Sequence, residues 1–334
     1  MKRRIVLHLA AALALPWSAP TSSAAPLPRA DGYRGIWYFN QPTRDEYRYK
    51  YSGGMATYPQ QHIPIAIYCP QVHKTFFVYG GTTARSPGDR QQLLHMVSYY
   101  DHRTGRVPRP VILLDKRTDD AHDNPVLSVD AAGHLWVFSP SHGTARPSFI
   151  HRSTRPYAIA EFELIATTNF SYPQPWYQPE DGFLFLHTRY DGGRDLGVRA
   201  IRSLFWSTSP DGRTWKGPYL LAAIAQGDYQ ISWCEGRRLA TAFDHHPPPL
   251  GLNARANLYY LETSDFGRTW RTADGRPMTL PLTTPDNPAL VFDSRARGLL
   301  VYLKDLAFDT DGRPVILFLT SRGFEPGPHN DPRQ

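Results

Sequence analysis

Short β-branched and aromatic runs separated by turn residues recur along the chain, and no long stretch keeps a helical spacing. Runs of this length and composition predict strands. They come in pairs. Residues 63–68 and 75–79 flank Pro70-Gln71-Val72-His73, and 126–129 and 134–138 flank Asp130-Ala131-Ala132-Gly133. Residues 171–177 and 183–188 flank Glu180-Asp181-Gly182, and 229–233 and 238–243 flank Glu235-Gly236. A last pair, 300–308 and 314–320, surrounds Asp309-Thr310-Asp311-Gly312. Further strands follow several pairs, at 203–207 and 258–263. The pairs return about every fifty to seventy residues, the period of a β-propeller blade.

A turn motif supports that reading. Thr263-Ser264-Asp265-Phe266-Gly267-Arg268-Thr269-Trp270 matches the Asp-box pattern, Ser/Thr-x-Asp-x-Gly-x-Thr-Trp, which joins outer strands in sialidase-like propellers. Counted from Thr208, the stretch to Trp215 is a degenerate copy with proline in place of the aspartate. A β-sandwich, the competing all-β architecture, spaces its strands more evenly. The sequence therefore predicts an all-β, sialidase-like propeller over residues 31–334. It has four fairly complete blades and the first hairpin of a fifth, and it reads as incomplete at its C-terminus. A strand at 33–39 is available to complete one blade, but not to supply the rest.

Composition adds location. Lys2-Arg3-Arg4, an apolar run from 5 to 17 and Ser22-Ser23-Ala24-Ala25 read as a signal peptide over residues 1–25, hence a secreted or periplasmic protein. No later stretch has the roughly 20 apolar residues of a membrane helix. The two cysteines, Cys69 and Cys234, make no disulfide scaffold, and their spacing does not decide whether they pair. The net charge of +7 suits either solubility or a polyanionic partner. The basic residues are scattered, without the Lys/Arg block of a nucleic-acid patch.

Turn chemistry then brings candidate residues together. Asp130-Ala131-Ala132-Gly133 suits a type I turn followed by a left-handed glycine, which pairs Asp130 with His134. Continuing that ladder places His122 opposite His142, on one face of the sheet. Pro125 cannot donate to a ladder, so His122 falls in the loop just before the strand. With Glu180-Asp181-Gly182 as the next loop, Pro179 pairs with Phe183 and Tyr172 faces Tyr190, one residue from Arg189. In a propeller both hairpin ends lie on one rim. His62, Asn124, His246, Arg255 and Asn257 fall at equivalent positions and read as substrate-binding candidates. His245 and His246 point to opposite faces of a strand, so at most one reaches the rim. His73, His95, His102 and His151 read as solvated loop histidines, and Asp119-Asp120 as a solvated turn.

Several stretches resemble the exported BNR-repeat (bacterial neuraminidase repeat) proteins: Gly32-Tyr33-Arg34-Gly35-Ile36-Trp37-Tyr38, Tyr49-Lys50-Tyr51-Ser52-Gly53-Gly54, His62-Ile63-Pro64, Ala121-His122-Asp123-Asn124-Pro125, Ser141-His142-Gly143-Thr144 and Gly327-Pro328-His329-Asn330-Asp331-Pro332. That family includes ulvan lyases and related uronate-specific polysaccharide lyases, seven-bladed propellers that cleave by β-elimination with histidine, tyrosine and arginine. The resemblance implies catalytic roles for His122, His142, Tyr172 and Arg189, and an acidic polysaccharide or oligosaccharide as partner of a monomeric protein. It implies no cofactor for the chemistry and admits a structural metal ion with unidentified ligands.

The residue types fit elimination on their own terms. An arginine and a histidine can neutralise the uronate carboxylate, a histidine or tyrosine can take the α proton, and Tyr172 or His122 can protonate the leaving oxygen. Paired carboxylates, which glycoside hydrolysis needs, are missing from the rim positions. A sialidase lacks support because His62-Ile63-Pro64 stands where that family has Arg-Ile-Pro. A non-catalytic glycan-binding propeller is the alternative.

Overall fold

A computed structural model describes residues 25–30, 61–82, 92–190 and 202–324. The expected signal peptide, the strand at 33–39 and the motifs at 32–38, 49–54 and 327–332 lie outside these residues. The described part is all-β. Strands β1 (Ala66–Cys69), β2 (Lys74–Gly81), β3 (Leu94–Asp101) and β4 (Val111–Asp115) form one antiparallel meander. A second comprises β5 (Val126–Val129), β6 (Leu135–Ser139), β7 (Ser148–Ser153) and β8 (Phe162–Thr168). A third comprises β9 (Ser171–Gln178), β10 (Gly182–Arg189), β11 (Ser203–Ser209) and β12 (Lys216–Ala222).

The fourth sheet has six strands: β13 (Asp228–Glu235), β14 (Arg238–His245), β15 (Ala256–Thr263), β16 (Trp270–Arg271), β17 (Pro277–Met278) and β18 (Leu290–Phe292). The fifth is the hairpin of β19 (Leu300–Phe308) and β20 (Pro314–Ser321). Among the described residues no helix is long and apolar enough to cross a membrane.

The core lies between successive sheets, as in a propeller. Phe76, Val78 and Val97 of the first sheet meet Leu127, Leu135 and Val137 of the second. Trp136 and Phe138 of the second meet Phe183 and Phe185 of the third. Leu184, Leu186 and Leu204 meet Leu239, Phe243 and Tyr259, while Ala242 and Tyr260 meet Val301 and Leu303. In the second, third and fourth sheets these side chains come from both faces, so those strands are apolar on both sides. Polar links join the inner strands: Gln174 Nε2 on β9 donates to the Gln230 carbonyl on β13 (2.9 Å), and Trp176 Nε1 donates to Ser232 Oγ (2.8 Å).

The first predicted hairpin register is the observed one. Val129 faces Leu135 and Val126 faces Phe138. Gly133, at φ 85°, takes the left-handed position, and Asp130 Oδ1 accepts the His134 amide at 2.9 Å. The second register differs from expectation. Phe183 faces Tyr177 rather than Pro179. Gly182 lies inside β10, where a Cβ would sit 2.3 Å from the Ser209 carbonyl oxygen, so the loop occupies residues 179–181. A bulge after Leu186 then puts Thr188 opposite Ser171.

The two turns read as Asp boxes share one hydrogen-bond scheme. Asp265 accepts the Thr269 amide (2.9 Å) and hydroxyl (2.6 Å). Asp211 accepts the Thr214 amide (2.7 Å) and hydroxyl (3.3 Å). The second turn is thus one residue shorter, with Asp211 rather than Pro210 as the acceptor. Cys69 and Cys234 are free thiols.

Candidate functional site

The loop ends of the inner hairpins meet on one rim. A 3-10 turn, Ala121–Asp123, precedes β5 and carries His122; His142 follows β6. Their rings stack at 4.0 Å with 16° between planes. The predicted juxtaposition is therefore observed, and its cause is a residue the sequence reading set aside. Asp120 accepts from Nδ1 of both histidines, at 2.6 Å from His122 and 2.8 Å from His142, and from the His122 amide at 3.0 Å. Each imidazole thus carries its proton on Nδ1, and its basic lone pair is on Nε2.

Burial pushes the Asp120 carboxyl up, but the hydrogen bonds from the two histidines outweigh it and hold it well below the usual range. Beneath it, fully buried Asp123 accepts the His142 amide (2.6 Å) and pairs with Arg146 Nε (2.9 Å), while Arg146 also reaches Asp120 at 3.3 Å. Asp120, His122 and His142 are also the one group among the described residues that could hold a metal ion through three such side chains. The Arg146 guanidinium on the same carboxylate disfavours a second cation there.

Tyr172 stands beside the pair, with its ring 6.4 Å from each histidine. It is buried and holds φ 48°, rare for an aromatic residue and of the kind that marks strained functional positions. Its hydroxyl lies 3.2 Å from that of Tyr190 and 3.3 Å from that of Tyr229. Burial first, then the two neighbouring phenols, raise its pKa well above the ordinary value, so it stays protonated. Tyr190 packs edge-on against His142 at 5.5 Å.

The arginine of this group is Arg202. It lies 5.7 Å from the Tyr190 ring and 5.6 Å from the Tyr229 ring, and its Nη1 is 3.2 Å from His246 Nδ1. Arg189 is not brought to the cluster; its guanidinium lies over Phe205 at 5.8 Å. Successive strand residues face opposite sides, so with Tyr190 at the rim Arg189 turns away.

The other candidates divide. His62 is buried 5.5 Å from Tyr172, and burial, then the nearby His122, lowers its pKa to about 3. His246 packs edge-on against Tyr229 at 4.8 Å, whereas His245 turns to the Tyr259 hydroxyl (3.2 Å), so one of the two reaches the rim group. Arg255 lies over Tyr229 at 4.8 Å and Tyr302 at 5.5 Å. Asn124 is buried beneath the rim, where its Oδ1 fills the space a Gly80 Cβ would take.

Asn257 does not join the group: its backbone N–H donates to Ser294 Oγ (2.8 Å) and its Oδ1 accepts the Arg295 backbone N–H (3.2 Å), which pins a loop. His95 is not solvated but fully buried, bonded to Ser139 Oγ and the Asp123 carbonyl, both at 2.8 Å. His151 is partly buried as well, and burial lowers its pKa to about 4.

Fold and rim together define a β-propeller whose hairpin ends gather histidine, tyrosine and arginine around one point. The BNR repeat-containing family matches residues 95–325, and the chain belongs to that family. Two solved structures of an ulvan lyase, described as a new family of polysaccharide lyase, superpose with a TM-score of 0.65. They are 17% and 18% identical and cover 87% of this chain and 68% of theirs; one is bound to -[GlcA(1-4)Rha3S]-. An endo-arabinase from Bacteroides thetaiotaomicron is similar at a TM-score of 0.41 and 12% identity, over 77% of this chain and 88% of that one. At these identities the likeness concerns the fold. No curated protein matches the chain in sequence.

Proposed function

We propose that the protein is a polysaccharide lyase that cleaves a uronate-containing polymer of the ulvan type by β-elimination. The observation that carries this reading is the stacked His122–His142 pair, locked by Asp120 in the Nδ1-protonated tautomer beside protonated tyrosines and Arg202. Elimination needs a base for the proton α to the carboxylate, a cation against that carboxylate, and an acid for the β oxygen. His142, the more exposed histidine, is the base through Nε2. Arg202 neutralises the carboxylate and so stabilises the enolate-like intermediate. Tyr190, next to His142 and hydrogen-bonded to Tyr172, is the acid.

The α C–H bond breaks and its proton goes to His142. The β C–O bond then breaks with its electrons on oxygen, which takes the phenolic proton, and a C=C double bond forms between the α and β carbons. Tyr172 and Tyr229 position Tyr190. Support also comes from the structural likeness to ulvan lyases. The test is incubation with ulvan, following the near-ultraviolet absorbance of unsaturated uronate. Wild type is expected to generate it, and Y190F to bind polymer but lose product. Binding of ulvan by wild type with no unsaturated product would instead favour a glycan-binding propeller.

A further inference from the structure

His246 sits behind Arg202, fully buried one residue beyond β14, with contacts that fix its protonation pattern. A guanidinium has donors and no acceptor, so the 3.2 Å contact between Arg202 Nη1 and His246 Nδ1 requires the lone pair on Nδ1. The ring proton is then on Nε2, which lies 3.3 Å from Asp244 Oδ1, off the line of a hydrogen bond but close enough for charge stabilisation. Asp244 is itself fully buried, and the same oxygen accepts the Tyr229 amide at 3.2 Å. The His246 backbone is held separately: its amide donates to the Gly227 carbonyl (2.9 Å), and its carbonyl accepts the Gln226 amide (3.0 Å). The side chain can therefore change without moving the strand end.

We infer that His246 is a positioning residue: a neutral imidazole, held beside Asp244, that accepts from Arg202 and aims its guanidinium at the uronate carboxylate. This deepens the lyase reading and rests on it for the identity of the ligand. The groups facing the ring are Arg202, Arg255, Asp244 and the Tyr229 ring. A second proton on the ring would set Nδ1–H against the Arg202 N–H and add a cation beside two arginines. Burial, only partly offset by Asp244, lowers the His246 pKa and keeps it neutral near pH 7.

The first test needs no substrate. Nitrogen-resolved NMR of the full chain should show His246 protonated at Nε2 alone at neutral pH; a proton on Nδ1 overturns the inference. The second compares H246N with H246L. Asparagine Oδ1 lies close to where Nδ1 was and can still accept from Arg202, whereas leucine cannot. With ulvan oligosaccharides as probe, H246L should lose roughly ten- to hundredfold in affinity and in kcat/KM, the value of a hydrogen bond to a charged group. H246N should stay within about threefold of wild type, and should bind with less weakening on the acid side. Equal behaviour of H246L and wild type, or equal impairment of both variants with circular dichroism unchanged, overturns the inference. If wild type binds without forming unsaturated product, the lyase reading falls, while affinity alone still judges His246.

Discussion

Replacing Asp120 by asparagine keeps the shape of the side chain and inverts one of its hydrogen-bonding atoms. In the native protein one carboxylate oxygen accepts from the His122 ring and amide, and the other from the His142 ring and Arg146. An asparagine must present its NH2 group to one of these sets. Whichever histidine then faces a donor must move its proton to Nε2, and it can no longer accept a proton there. The lost charge-assisted bonds are worth about 1.5–3 kcal/mol each. Tautomer control by a buried carboxylate is worth about 10⁴ in rate in serine proteases.

The D120N variant should therefore lose about 10²–10⁴ in kcat, or roughly 3–5 kcal/mol of barrier. KM should change little, because the arginine is untouched. The assay is the initial rate of unsaturated uronate formation, with circular dichroism to confirm folding and nitrogen-resolved NMR to read both tautomers. Retention of activity within about threefold, with the His142 imidazole protonated at Nε2, would refute the proposed role of Asp120.

R202Q should lose uronate binding and kcat/KM together, about a hundredfold, while R189Q should lie within about threefold of wild type; parallel kinetics on ulvan check both. Gly80→Ala should lower the denaturation midpoint, because its Cβ would meet Asn124 Oδ1 at 2.0 Å. The cost is about 1–3 kcal/mol by urea titration. Acid should destabilise the fold through its buried histidines. His62 and His187 are held near pKa 3, and His151 and His245 near 4, chiefly by burial, whereas the unfolded chain protonates them near 6.5. Stability should be full above that value and fall with proton uptake on unfolding as pH drops toward 4; a flat profile from pH 7 to 5 would contradict it. Reductant should leave the thermal midpoint unchanged, since Cys69 and Cys234 are free thiols.

Much of the frame was legible because propeller hairpins advertise themselves. The Asp130–Gly133 turn set a register that the structure keeps, and that register carried His122 to His142. The second hairpin departs from the expected register because Gly182 serves the strand rather than the loop and a bulge after Leu186 shifts the ladder. No local pattern announces a bulge, so the sequence points to Arg189 at the rim, whereas the strand end in the structure places Tyr190 and Arg202 there. Asp120 was passed over because acidic residues in a loop are ordinarily solvated. Its value comes from two histidines that meet only in the folded chain. Asn257 looked like a ligand group and proved to be a loop pin.

The central claim, elimination at this rim, is tested most directly by one reaction followed two ways. The purified chain is incubated with ulvan, and new reducing ends and unsaturated uronate absorbance are measured in the same sample. The account predicts that the two rise together, one double bond per cleavage, and that Y190F abolishes both. Reducing ends without unsaturation would identify hydrolysis and contradict the account, as would intact polymer in the presence of demonstrated binding.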